Sequence, residues 1–247
     1  MSDPTLLSVD RDGALADAID GLGESAVTRA DLLRRSVVGG GLGAATAAMF
    51  AGMTQAAHAQ GTRPPVPLGR QQRRFDLAVL RFGLVVEQLG ASFYQEAVDI
   101  GQLRGETQDY ARIARRDERA HVVAVAGAIG ALGARPGPFA RFDFGEVTSN
   151  QALFERTAQQ LEQMCVAFLN GVGPLVSSQV LAAASQLVSV EARQVAWITR
   201  ILGGVPADTA FDPAITLGQA RAAVRATGFL ETRLPAPPSV RSTAGSN

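Results

Sequence analysis

Between residues 70 and 203 the chain carries four long segments of helical periodicity, grouped as two pairs, each pair hinged on a glycine-containing break. Phe75, Val79, Phe82, Val86, Phe93 and Ala97 recur at helical spacing and predict a first helix from about Gln72 to Ile100. Gly101 and Gly105 in "GQLRGET" end it. Tyr110, Ala114, Glu118, His121, Val125 and Ile129 share one face of a second helix, from near Thr107 to about Leu132, which "GARPGP" forbids from continuing. The third runs from about Asn150 to Gly171 on Phe154, Ala158, Leu161, Cys165, Phe168 and Leu169, and "GVGPL" breaks it. The fourth starts after Ser177 and Ser178 and runs to about Leu202, with Val180, Ala184, Leu187, Val188, Glu191, Val195 and Ile198 inward. A short fifth helix is expected at Leu217 to Thr227. Two short-linked hairpins joined by a longer crossover, "FARFDFGEVTSN", predict an all-α antiparallel four-helix bundle. The long crossover joins helices two and three, and the short helix is C-terminal.

Glutamates interrupt the apolar stripes where a packed core calls for leucine. Glu118 and Glu191 lie on the stripes themselves, Glu87 follows "LVV", and Glu162 sits beside Leu161. The midpoint of Glu87 and Glu118 falls inside the Gly101–Gly105 break, and that of Glu162 and Glu191 inside the break from Gly171 to Ser178. At a rise of ~1.5 Å per residue, each carboxylate stands roughly 20 Å from its turn on both arms. Closing the hairpins therefore brings all four to one level. Like charges a few Å apart in a poorly solvated core repel, and each unpaired buried ion costs several kcal/mol. A bound cation is one remedy; raised pKa values or buried arginine partners are the others.

His121 lies three residues after Glu118, and the same spacing recurs as Glu191 and Gln194. Glu87, Glu118 with His121, Glu162, and Glu191 at the place of a second Glu-x-x-His resemble the ferritin-like di-metal carboxylate proteins. The likeness is to exported bacterial ferritin-like domain proteins, and more distantly to rubrerythrin and manganese catalase. It covers residues 70–203. That family builds its site from one Glu on helices one and three and Glu-x-x-His on helices two and four. The resemblance implies a metal site of Glu87, Glu118, His121, Glu162, Glu191 and Gln194, holding one or two ions of iron or manganese, or none if the site is vestigial. Gln194 departs from the pattern: its neutral amide oxygen is a weaker donor for iron than imidazole, though tolerable for harder ions such as manganese. The departure puts two-metal oxygen or peroxide chemistry in doubt, so the residues leave enzymatic turnover open.

The rest of the chain frames that bundle. Arg29, Arg34 and Arg35 precede a weakly hydrophobic run from Val37 to about Met53, and Ala57-His58-Ala59 before Gln60 is a small-x-small cleavage site. Residues 1–59 are therefore expected to be an export signal cleaved after Ala59. "TRADLLRR" resembles a twin-arginine signal, with Ala30 at the place of the second arginine. The competing reading is an uncleaved anchor, although Gly, Ala and Thr add little insertion free energy. Cleavage takes seven acids and four of the 23 arginines and leaves a net +3. The mature protein is expected in the periplasm, cell envelope or medium, with the export machinery as a partner, no stable membrane span and a homo-oligomer left open. All the basic residues are arginine, which fits a GC-rich bacterial genome, and zero formal charge gives no sign of nucleic acid. Cys165, the single cysteine, forms no internal disulfide. Residues 60–69 read as a Pro-rich linker, 204–232 as an extension bearing the short helix, and 233–247 as a mobile Pro/Ser tail. Glu96 reads as solvated or hydrogen-bonded, and Arg115, Arg116, Asp117, Arg119 and Arg193 as surface charges. Two functions remain: a metal-binding protein with a redox or metal-handling role, or a non-catalytic structural or stress-associated envelope protein with a vestigial site.

Overall fold

The computed structural model describes residues 68–235. The export signal, most of the linker and residues 236–247 lie outside them. Among the described residues there are five α-helices: α1 (Arg70–Ile100), α2 (Gly105–Ala131), α3 (Gln151–Val172), α4 (Ser178–Ile201) and α5 (Leu217–Ala226). The fold is the all-α bundle expected from the sequence. α1 packs chiefly along α2, and α3 along α4; α2 also lies against α4. A 3-10 turn, Gly173–Leu175, separates α3 from α4.

Local chemistry sets the ends. Gly101 takes the left-handed conformation (φ 69°) and its amide bonds the Ala97 carbonyl, so α1 stops there without the strain a Cβ would add. Asn150 caps α3 by accepting from the Leu153 amide, and Thr216 and Gln219 form a reciprocal capping box on α5.

The crossover climbs the outside of α1. Arg73 of α1 donates to the Leu132 carbonyl where α2 ends, the Ala140 amide donates to Gln88 Oε1, and Thr148 Oγ1 donates to Glu96 Oε1 at 2.5 Å. The chain thus returns from the bottom of α2 to the top, where Gln151 meets the Arg104 amide and Thr107 meets Glu155. α1 and α4 run one way, α2 and α3 the other. Every α1 residue from Phe82 to Leu89 is buried, because α2, α3 and the crossover surround it. By length and composition α1 is apolar enough to cross a membrane, but 78% of its apolar window is buried in the bundle. Phe93 anchors the upper core, stacked on Phe154 at 4.9 Å and edge-on to Tyr94 and Phe144.

The C-terminal extension is part of this body. α5 packs on α3 and α1 with Ala220 and Val224 wholly buried. Leu234, in the stretch read from the sequence as the start of the tail, is buried against the same core. The apolar Leu234 side chain gains more from the core than its freedom costs. The segment before α5 crosses α3 where the Ile215 amide bonds the Ala167 carbonyl at 2.9 Å. Gly171 permits that approach: a Cβ there would lie 1.9 Å from the Ile215 carbonyl oxygen. Because the obstacle is backbone, Gly171→Ala should lower stability by about 3 kcal/mol in urea unfolding of the full chain. An unchanged midpoint would mean that the 215 segment is not held there.

Candidate metal centre

Half-way along the bundle, four helices each deliver one carboxylate to the same level. Glu87 on α1, Glu118 on α2, Glu162 on α3 and Glu191 on α4 are all buried, with His121 and Gln194 one turn beyond their glutamates. The six residues singled out in the sequence are thus brought together, and their arrangement is lopsided.

On the side of His121, Nδ1 lies 2.8 Å from Glu191 Oε1, 3.4 Å from Glu87 Oε2 and 3.6 Å from Glu118 Oε1. One donor atom from each of these four residues falls within 4.8 Å of all the others. Three of the facing atoms, His121 Nδ1, Glu87 Oε2 and Glu191 Oε1, are buried without a hydrogen-bond partner. The short Nδ1–Oε1 distance is not aligned for a bond. Unsatisfied buried polar atoms are costly, and three converging on one point call for a common partner.

On the side of Gln194 the same polarity is satisfied internally. Tyr94 OH donates to Glu162 Oε1 in a short bond, Tyr110 OH reaches the same oxygen at 3.4 Å, and the two hydroxyls are 3.0 Å apart. The Gln194 side-chain nitrogen, oriented to suit its surroundings, donates to Glu162 Oε2 at 3.0 Å and Glu118 Oε1 at 3.3 Å. Glu162 therefore has donors on both oxygens, supplied by tyrosines and an amide.

Burial drives the electrostatics. It pushes the Glu118 and Glu162 carboxyls well above the usual range, with neighbouring glutamates adding to the rise. It pushes Glu191 up to about 7, with the Glu118 charge raising it further and His121 opposing. For His121, burial disfavours the charged ring, but the Glu118, Glu191 and Glu87 carboxylates outweigh it and hold the imidazole pKa far above its ordinary value. Without a metal these shifts favour a proton on His121 and make Glu118 and Glu191 harder to ionise than in water. Burial likewise raises the Cys165 thiol, whose Sγ lies 3.9 Å from Glu87 Oε1.

Three participants carry no site role in the sequence analysis, although Tyr110 is placed there on the helix face of Glu118 and His121. Tyr94 is two helical turns after Glu87 and Tyr110 two before Glu118, and they are the only tyrosines in the chain; that scarcity was the available signal. The third is Gly90. A Cβ there would lie 2.7 Å from Glu118 Oε2, so this mid-helix glycine makes room for the carboxylate. Glu96, by contrast, sits above the cluster, engaged by Thr148. Arg116 pairs with Asp117 on the surface, and Arg119 and Arg193 are exposed.

An open groove of about 440 Å³ between α2 and α4, walled by Arg116, Asp117, Arg193 and Trp197, has His121 and Gln194 at its floor. The His121 side chain is 9% exposed, against 1–5% for Glu87, Glu118 and Glu191, so the centre is closest to solvent through the imidazole.

A comparison with curated proteins finds no match. A family model described as "Ferritin-like domain" matches residues 75–204, more than half of the chain and all four helices that carry the cluster. With the bundle, its crossover and one inward glutamate per helix, the chain belongs to the ferritin-like family.

Proposed function

We propose that this protein binds one metal ion, iron or manganese, between Glu87, Glu118, His121 and Glu191, and that its second metal position has been replaced by hydrogen bonds. The observation that carries the reading is the set of orphaned buried atoms on the His121 side beside the satisfied Glu162 on the other. Three carboxylates and an imidazole suit ions that accept both oxygen and nitrogen donors. A bound ion supplies Lewis-acid and redox capability. The chain's own residues orient the donors, exclude water from all sides but the groove, and hold Glu162 with two tyrosines. Gln194 ties the two halves together by bridging Glu118 and Glu162.

The groove gives an ion a short path to the imidazole. For the whole chain, we infer export by the twin-arginine-like segment, which supports a role outside the cytoplasm in metal handling or redox protection.

A second reading has its own support. His121 already sits against Glu87, Glu118 and Glu191, and a proton on it offsets part of the buried charge without a metal. On that reading the bundle is a structural or stress-associated envelope protein with a vestigial centre. Metal analysis of the full chain, loaded and then dialysed against a mild chelator, separates the two. About one equivalent retained per chain is expected; none retained leaves the structural bundle.

A further inference from the structure

Arg221 on α5 is the one buried arginine among the described residues, 7% exposed. Its guanidinium lies over the ring of Phe82 on α1, 5.7 Å from the centroid. Arg225 follows one turn later on α5 and is exposed. Among the described residues no carboxylate lies within 4.0 Å of either guanidinium, and Arg221 donates no hydrogen bond. Other arginines of the bundle differ: Arg73 donates to the Leu132 carbonyl, Arg116 pairs with Asp117, Arg141 with Glu231 and Arg200 with Glu106.

A buried charge is normally paired, and a ring face offsets only part of the cost while taking none of the N–H donors in the guanidinium plane. Burial lowers the Arg221 pKa, and the Arg225 charge lowers it further. Like charges one turn apart thus add to the cost instead of relieving it. Residues 60–67 and 236–247, outside the described residues, carry no acidic side chain, so the chain that follows the expected export signal brings no further carboxylate to the pair. The missing counter-charge has to come from outside.

We propose that Arg221 and Arg225 form a binding site for a phosphate group, with Arg221 as its buried anchor. Planar guanidinium forks match tetrahedral oxyanions bidentately, and two of them suit a doubly charged one. Stacking on Phe82 holds the Arg221 fork in place, so little side-chain freedom is lost when the anion binds. Free phosphate, a phosphomonoester and a phospholipid headgroup all present this chemistry. Phe82 lies five residues before Glu87, more than a helical turn along α1, so the site is separate from the candidate metal centre and independent of the metal reading.

Titration of the metal-free full chain with inorganic phosphate in chloride buffer provides the test, followed by calorimetry and by the Arg221 side-chain Nε–H resonance. Saturable binding of about one equivalent is expected, with a Kd of ~1 mM or below, and the resonance should shift along the same curve. Arg221→Gln should weaken binding more than about tenfold, because hydrogen bonds between charged groups are the strong ones. Should that variant fail to fold, the exposed Arg225→Gln carries the test, with a loss of about tenfold. Arg156→Gln removes the same charge from an exposed position on α3 and should bind as the parent does. Co-sedimentation with phosphatidylcholine vesicles, with and without phosphatidylglycerol, separates the sources. Retention on the anionic vesicles that Arg221→Gln abolishes identifies a headgroup; phosphate binding without retention identifies a soluble phosphate. The proposal is overturned if the unaltered chain shows neither saturable phosphate binding nor retention that depends on Arg221. Equal weakening by Arg156→Gln would overturn it too, by reducing the effect to net charge.

Discussion

His121→Ala is expected to empty the metal position and to weaken the metal-free protein as well. The imidazole is the only nitrogen donor in the cluster and the one nearest solvent. Altering a group that merely supports a ligand already costs 10- to 100-fold in metal affinity, so removing the ligand itself should cost more than about 100-fold. Retained metal should fall from about one equivalent to near zero by elemental analysis. Metal-free, the variant leaves Glu87, Glu118 and Glu191 facing one another, since His121 is the basic side chain that pairs with them among the described residues. Breaking a buried pair costs about 3–5 kcal/mol, less what the carboxyls recover by taking up protons.

The sign of the pH dependence follows from the raised carboxyls. Glu191 titrates at about 7 in the folded chain against 4.5 as its ordinary value, so between those pH values the folded state holds more protons than the unfolded one. Stability from this group falls as pH rises from about 4.5 through about 7, by on the order of 3 kcal/mol. The raised His121 pKa acts in the same direction at higher pH: its contribution is fully present below the ordinary value of 6.5 and is lost progressively as pH rises from there towards the folded value. The metal-free unaltered chain should therefore be more stable at pH 5 than at pH 8, and His121→Ala should show a steeper fall. A saturating metal ion, by keeping the carboxylates ionised, should flatten the profile in urea titrations of the unaltered chain. A His121→Ala protein with full metal content and unchanged pH profile would remove His121 from the centre.

Much of this arrangement was legible in the sequence because it depends on arithmetic along the chain. Equal distances from a turn put Glu87 beside Glu118 and Glu162 beside Glu191 whatever else the helices do. The family match over residues 75–204 rests on the same stretch. What was not legible depends on contacts between hairpins. Tyr94 meets Glu162 across 68 residues and Tyr110 meets it across 52, and no local spacing encodes either bond. Gly171 reads in the sequence only as a helix breaker, whereas its role is to let the Ile215 backbone pass. Leu234 sits among Pro and Arg in a segment whose composition resembles a tail, and its burial depends on a groove formed by distant helices. The export signal rests on sequence alone.

If the cluster holds one ion as proposed, Gln194→His should make room for a second. Gln194 now occupies the second position twice over: its nitrogen donates to Glu162 Oε2 and to Glu118 Oε1, both oxygens that a second ion would need. Replacing the amide by imidazole removes those two donors and supplies the nitrogen ligand that the helix-four motif lacks. Tyr94 and Tyr110 bond only Glu162 Oε1, so Oε2 becomes free to bind, with Glu118 and Glu191 available between the two ions. Retained metal should rise from about one equivalent to two, and the melting temperature should climb with added ion as mass action requires, about 2.7 kcal/mol at a hundredfold excess over the dissociation constant. Without metal the variant should be less stable than its parent, because a second buried imidazole has lost the hydrogen bonds that the amide made. Adding Tyr94→Phe to Gln194→His separates ligand supply from carboxylate positioning: it should leave the second equivalent in place but weaken its affinity, because Glu162 is then oriented only by Tyr110. If Gln194→His lowers the melting temperature at every ion concentration and retains no more metal than the parent, the second position is closed by the packing around Glu162, and the missing histidine is not what closed it.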